Sequence, residues 1–304
     1  MKLKEKCFRG MSGAYSAMFT PITKDNKVNE EAIDRMVEYG IANGLTGFYL
    51  TGSTGGWFLL TPEERVQVWK RAVQVAKGRC KLIAHVGATS TDESVALAKA
   101  AADVGVDWIS SVAPPVFCNN FNRTFHHYKR VSEATDLPFM VYSIGAELVP
   151  ERDIRFFDLK NVKGMKYTNY KYWTVQALRR KLGKEAIFFA GCDEQVLSAL
   201  ATGVFSGCIG TTDNTIPWVY AKICALAAAD RFKEAAELQD MSVRFVELIL
   251  RKPNFTWVKE TMNYIGLDCG EGRSPAGRPL AKGEKAELYA ALAKLGFVKR
   301  NAAR

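Results

Sequence analysis

Histidine, paired cysteines and long apolar runs are scarce in this chain, and each scarcity removes a class of function. Only three histidines occur in 304 residues, His85, His126 and His127, and none has metal-like spacing to an acid or thiol. A metal site is therefore not expected. The seven cysteines, Cys7, Cys80, Cys118, Cys192, Cys208, Cys224 and Cys269, are scattered, odd in number and without a C-x-x-C pair. That argues against a disulfide framework or a zinc module and points to a reducing compartment, the cytoplasm. No segment reaches the roughly 18 uninterrupted apolar residues of a membrane span. The basic start Met1-Lys2-Leu3-Lys4-Glu5-Lys6 is followed by no apolar stretch, so no secretory signal is expected. A P-loop, a nucleophile elbow and a dinucleotide fingerprint are missing as well.

What is present is a globular composition, 48% hydrophobic and 24% charged. Its length suits one large α/β domain or two small ones. The net charge is +10. The basic residues are spread along the chain, apart from short clusters at Arg179-Arg180-Lys181 and Lys299-Arg300, and no nucleic-acid motif accompanies them. The simplest meaning is a solvated basic surface, one that would also favour anionic substrates.

The hydrophobic pattern alternates. Eight β-rich runs occur at 14–19, 47–50, 82–86, 108–112, 139–142, 162–166, 187–190 and 207–210. Helical segments lie between them. In 30–43, Ile33, Met36, Val37 and Ile41 share one face. Thr61-Pro62-Glu63-Glu64 and Ser90-Thr91-Asp92-Glu93 each carry an N-cap hydroxyl and first-turn acids. Further helices are expected at 194–202 and 217–229. Eight strand–helix alternations with short links imply parallel strands and right-handed crossovers, and predict a (β/α)8 TIM barrel over residues 1–230. An open doubly wound sheet is the alternative, but Phe19-Thr20-Pro21-Ile22 is no dinucleotide turn. From 231 to 304 the pattern is helical only, at 232–250, 256–265 and 283–295, and reads as a C-terminal helical extension.

In such a barrel, groups at the C-terminal ends of strands face the active side. Lys166 stands at the end of the sixth run, Tyr142 at the end of the fifth, and Gly52-Ser53-Thr54-Gly55-Gly56 follows the second. Desolvation favours a neutral amine, and a neutral amine attacks a ketone to give an imine, an electron sink for breaking the adjacent C–C bond. A lysine that snorkels to solvent has the same local spacing. Tyr142 is a proton relay on one reading and a half-buried tyrosine with one hydrogen bond on the other. The Gly-Ser-Thr turn can cradle a carboxylate or simply join a strand to a helix. Gly191-Cys192-Asp193-Glu194 and Gly210-Thr211-Thr212-Asp213 offer polar groups at the seventh and eighth strand ends. Asp193 fits equally well as a helix N-cap.

Taken together, these residues resemble the pyruvate-dependent class I aldolase family that contains N-acetylneuraminate lyase and dihydrodipicolinate synthase. The resemblance runs from Ala17-Met18-Phe19-Thr20-Pro21 to the C-terminal helices. Tyr49-Leu50-Thr51-Gly52-Ser53-Thr54-Gly55, Ile83-Ala84-His85-Val86-Gly87 and Gly164-Met165-Lys166-Tyr167-Thr168 carry it, in a form nearest the lyase. The resemblance implies that Lys166 forms the imine with pyruvate, that Tyr142 transfers protons with help from Ser53, and that Ser53 and Thr54 hold the pyruvate carboxylate. It assigns Thr168, Gly191, Asp193, Glu194 and Thr211 to the rest of a sugar acid. It further implies a homotetramer with no metal or organic cofactor, acting on pyruvate and a sugar aldehyde or their keto-acid adduct. Three places depart from the pattern: Gly56 stands for the usual glutamate, Tyr142-Ser143-Ile144-Gly145 for Tyr-Asn-Ile-Pro, and Thr211 and Asp213 for a serine and a tyrosine. No arginine near 144–149 offers the second carboxylate site of a dihydrodipicolinate synthase.

Overall fold

A computed structural model describes residues 11–116, 120–182 and 186–299. The basic start, Cys7, Cys118 and Arg300 lie outside the described residues. Eight parallel strands close into a barrel in chain order. They are β1 (Gly13–Ala17), β2 (Gly47–Leu50), β3 (Lys81–His85), β4 (Trp108–Val112), β5 (Phe139–Ile144), β6 (Val162–Thr168), β7 (Ile187–Ala190) and β8 (Gly207–Gly210). Pairing of β1 with β8, Ser16 opposite Gly210, closes the ring.

The connecting helices are α1 (Glu30–Ala42), α2 (Pro62–Ala76), α3 (Thr91–Val104), α4 (Phe121–Ser132), the short α5 (Pro150–Asp153), α6 (Tyr172–Leu182), α7 (Val196–Ala201) and α8 (Pro217–Ala228). Three more follow: α9 (Phe232–Leu250), α10 (Phe255–Tyr264) and α11 (Glu284–Lys294). The expected caps form. Thr61 accepts from the Glu64 amide while Glu64 accepts from the Thr61 amide, a reciprocal box with Pro62 in the first turn. Ser90 accepts from the Glu93 amide.

Alternation along the strands sorts two cores. One fills the barrel lumen, with Tyr15, Tyr49, Ile83, Trp108, Met140, Ile187, Phe189 and Ile209. The other lies between the sheet and the helices and includes Phe48, Trp69, Val141, Met165, Phe188 and Cys208. The lumen is thus packed solid up to its last layer, and chemistry is confined to the mouth. Among the described residues, no helix is long and apolar enough to cross a membrane.

Two sequence expectations need correction. The ladder between β5 and β6 continues through Ser143 opposite Tyr167 and Ile144 opposite Thr168, so neither Tyr142 nor Lys166 ends its strand. Both lie two residues inside the sheet, which explains their deep burial. The helix expected at 194–202 begins instead with a 3-10 turn, Asp193–Gln195, before α7. Asp193 caps no helix, because its carboxylate is bound across the chain to Thr212.

Candidate active site

The register of β5 against β6 brings amine and phenol together. Phe139 pairs with Val162, a one-residue bulge follows, and Met140 pairs with Gly164. Tyr142 therefore lies opposite Lys166, whereas an unbroken ladder would set it opposite Met165. Residues in register point to the same face, here the lumen. The Lys166 Nζ sits 4.4 Å from the centroid of the Tyr142 ring and 4.6 Å from that of Tyr49. Lys166 is 5% exposed and Tyr142 3%. The amine is enclosed by aromatic faces rather than snorkelling to solvent.

A neutral network supports this layer. The Tyr49 hydroxyl donates to Ser110 Oγ at 2.9 Å, and Ser110 donates to the Met140 carbonyl at 2.8 Å. Burial pushes the Tyr49 phenol well above its ordinary pKa, so it remains a fixed donor. His85 is fully buried, and burial followed by the nearby Arg65 charge drives its pKa well below the usual value. Its tautomer follows from its partners. Nδ1 donates to the Thr51 carbonyl at 3.1 Å, and Nε2 accepts from the Val112 amide at 3.2 Å.

Arg65 of α2 underlies that histidine. Its guanidinium donates to the carbonyls of His85 and, at 2.9 Å, Gly87, and lies 5.7 Å from the Trp69 ring. Burial lowers its pKa to about 10. Thr51, also fully buried, turns the chain out of β2 with a left-handed φ of 50°. Trp69 Nε1 donates to its hydroxyl at 2.8 Å, so both ends of this residue are clamped. A left-handed non-glycine residue persists only where its surroundings over-determine it, and such positions cluster at working sites.

That turn presents Ser53 and Thr54. Ser53 lines a cleft beside Tyr142. Thr54 Oγ1 lies 2.6 Å from Thr211 Oγ1, joining the ends of β2 and β8, and Thr20 Oγ1 donates to the Gly55 carbonyl at 2.8 Å. Gly56 now has a local reason. Its φ is 70°, and it opens a 3-10 turn, Trp57–Leu59. A glutamate there would pay a left-handed penalty of about 1–2 kcal/mol. The turn sets the Trp57 ring 5.8 Å from His85, at the edge of the mouth.

The residues at β6, β7 and β8 are drawn close, though not all face the mouth. Thr168 Oγ1 is buried without a hydrogen-bond partner and covers Gly191, where a β-carbon would collide with it. Glu194 accepts from the exposed Tyr170 hydroxyl at 2.6 Å. Asp193 turns away. Its Oδ2 accepts from the Thr212 amide at 2.8 Å and hydroxyl at 2.7 Å. Its Oδ1 and Asp213 Oδ2, both buried and unpartnered, converge over Gly210, where a β-carbon would collide with each. Ile209 faces the lumen and Cys208 the helices, so this carboxyl pair sits behind β8 on the Cys208 side.

Two carboxylates so placed cannot both ionise, and burial first, then their mutual repulsion, raises the Asp213 pKa well above the usual range. The native protein holds a proton that the unfolded chain has released, so stability falls as pH rises from the ordinary aspartate range through the raised pKa. Asp213→Asn mimics the protonated acid. Its melting temperature is expected to exceed wild type by a few °C at about pH 8 and to match it near pH 4. Parallel wild-type and variant curves across that range would show that the pair is not protonated.

Comparison with known proteins agrees with this geometry. The model of the dihydrodipicolinate synthetase family matches residues 10–295. The chain belongs to the dihydrodipicolinate synthetase family. Among its relatives, the N-acetylneuraminate lyase of Rhizobium meliloti (strain 1021) is 31% identical over 286 residues, covering 92% of this chain and 93% of that one. The N-acetylneuraminate lyase of Pasteurella multocida (strain Pm70) is 31% identical, covering 90% and 94%. Among solved structures, the N-acetylneuraminate lyase of Mycoplasma synoviae superposes with a TM-score of 0.86 at 28% identity, covering 94% and 99%. The dihydrodipicolinate synthase of Acinetobacter baumannii, complexed with pyruvate, gives 0.87 at 29%, also covering 94% and 99%. As a member of the dihydrodipicolinate synthetase family, the chain is a lyase of the class I aldolase type. Lyase and synthase structures lie equally near, so family membership alone does not choose the substrate.

Sequence reasoning gave no role to Tyr49, His85, Ser110 or Arg65. Period-two alternation could have put His85 on the face of Ile83 and Ser110 on that of Trp108. Nothing local marks Arg65, whose partners are backbone carbonyls on another element.

Proposed function

We propose that this protein is a Schiff-base lyase that cleaves a 2-keto-3-deoxy sugar acid, with N-acetylneuraminate as the leading substrate, into pyruvate and an aldehyde, N-acetylmannosamine in that case. The observation that carries the reading is the enclosed Lys166 amine against the Tyr142 ring, with Ser53 lining the same cleft as Tyr142. Lys166 Nζ attacks the C2 ketone, and loss of water leaves an iminium. Tyr142 gives its proton to the departing carbinolamine hydroxyl, and the resulting phenolate takes the proton of the C4 hydroxyl as the C3–C4 bond breaks, with Ser53 relaying. The electron pair enters the imine as an enamine, which is reprotonated at C3 and hydrolysed to pyruvate and free amine. Ser53 and Thr54 hold the carboxylate. Thr168, Gly191, Glu194 and Thr211 meet the sugar tail, and Asp193 serves it indirectly by fixing Thr212 beside Thr211.

The reading needs no metal or organic cofactor. It includes a homotetrameric assembly, a cytoplasmic setting, and residues 231–304 as an extension of a 1–230 barrel. The test is borohydride reduction in the presence of pyruvate, followed by peptide mapping. A reduced adduct on Lys166 is expected. Folded protein with no adduct, or with the adduct on another lysine, would overturn the mechanism.

A further inference from the structure

A cleft of about 620 Å3 opens beside Ser53 and Tyr142 and runs past the ends of β4 and β5 toward α4. Its walls are largely hydrocarbon: Trp57, Val112, Phe121, Ile144, Val149 and Phe156. The charged side chains along it are already committed. Arg152 Nε donates to Asp153 Oδ1 at 2.6 Å, Asp153 Oδ2 accepts from the Val149 amide at 2.8 Å, and Glu147 is held by Lys171 at 2.5 Å. The cleft's neutral polar side chains are the hydroxyls of Ser53, Thr124, Tyr128, Tyr142 and Ser143, whereas Thr168, Glu194 and Thr211, assigned above to the sugar tail, do not line it.

A hydroxylated chain in this cleft would give up hydrogen bonds to water for contact with hydrocarbon. An apolar group would gain roughly 25 cal/mol for each Å2 removed from water. The volume is that of a ligand-sized pocket and far exceeds an acetyl methyl. The cleft is also continuous with the proposed reaction centre, since Tyr142 and Ser53 belong to both.

We propose that this cleft is a subsite for an apolar substituent on the aldehyde half of the substrate, an aryl or branched acyl group larger than acetyl. The proposal rests on the Schiff-base reading and adds a substrate class to it. In the condensing direction, C3 of the Lys166-bound enamine attacks the aldehyde carbon and the C3–C4 bond forms. The aldehyde oxygen takes a proton from Tyr142. Water then hydrolyses the iminium, releasing the 4-hydroxy-2-oxo acid and the amine. The substituent on the aldehyde enters the cleft as that bond forms.

The test uses pyruvate as common donor and three acceptors: mannose, N-acetylmannosamine and N-benzoylmannosamine. The kcat/KM is expected to rise along the series, with benzoyl exceeding acetyl by roughly tenfold. Ile144→Asp, at a rim position 41% exposed and so safe for folding, is expected to abolish the gain of benzoyl over acetyl. Equal or falling rates along the series, or an unchanged benzoyl preference in Ile144→Asp, would overturn the subsite. Borohydride trapping with pyruvate alone separates the two failures. An adduct without the apolar preference removes only the subsite, and no adduct removes the Schiff-base reading and the subsite with it.

Discussion

Replacing Lys166 with alanine is expected to lower kcat by about four to six orders of magnitude and to abolish the borohydride-trapped pyruvate adduct. The scale is that of removing a covalent nucleophile from a site that otherwise remains intact. The variant should fold. Lys166 is enclosed by ring faces, and among the described residues no hydrogen bond or ion pair holds its Nζ, so truncation orphans no partner. The variant loses aliphatic stem contacts and gains a small void beside Tyr49 and Tyr142, a cost of the order of 1–3 kcal/mol. Steady-state cleavage of N-acetylneuraminate and trapping with pyruvate check the prediction, with circular dichroism confirming the fold. Activity within tenfold of wild type would show that the imine forms elsewhere or not at all.

Arg65→Ala is expected to be the most damaging single change to stability, at about 3–5 kcal/mol. The residue is 2% exposed and carries its charge without a carboxylate in contact. Its fork satisfies the carbonyls of His85 and Gly87, and its stem and head pack on Trp69. Alanine removes the guanidinium donor from the Gly87 carbonyl, leaves the His85 carbonyl the longer 3.3 Å bond from the Thr51 hydroxyl, and opens a cavity. Lysine does not repair the loss, because a single ammonium cannot span two carbonyls as a planar fork does. The damage should reach the site, since His85 holds the Thr51 carbonyl and Thr51 aims the Ser53–Thr54 turn. Chemical denaturation of Arg65→Ala and Arg65→Lys checks the claim. A loss under about 1 kcal/mol in the alanine variant would show that the arginine is not what fixes this layer.

Much of the barrel was legible in the sequence because its causes are local. Eight apolar runs of four to six residues, alternating with helical segments, two of them opened by clear caps, admit few other arrangements. Thr61 and Ser90 announce their helices through hydroxyls that the first-turn amides must use, and those bonds form. Lys166 stood out as a lysine at the end of a short apolar run. Gly56 was legible as an anomaly but not as a cause, because its left-handed backbone is a property of the turn it closes. Asp193 was read as a rim group or a helix cap. Its real partners, Thr212 and the facing Asp213 oxygen, come from the 3-10 turn after β8, which lies beside it only once β7 and β8 pair.

The sequence by itself determined which residues could be strands, where helices begin, and that an amine, a phenol and two hydroxyls lie near the same rim. Period and capping are set within a few residues, so no distant contact is needed to read them. Only the tertiary structure decided which groups meet. The bulge between Phe139 and Met140 places Tyr142 opposite Lys166 rather than Met165. Pairing of β7 with β8 sets Asp193 against Thr212 behind β8, and closure of β1 on β8 joins Thr54 to Thr211. Register and closure depend on pairing energies between segments far apart in the chain. One residue of slip reverses every side chain on a strand, and local propensity is blind to that choice.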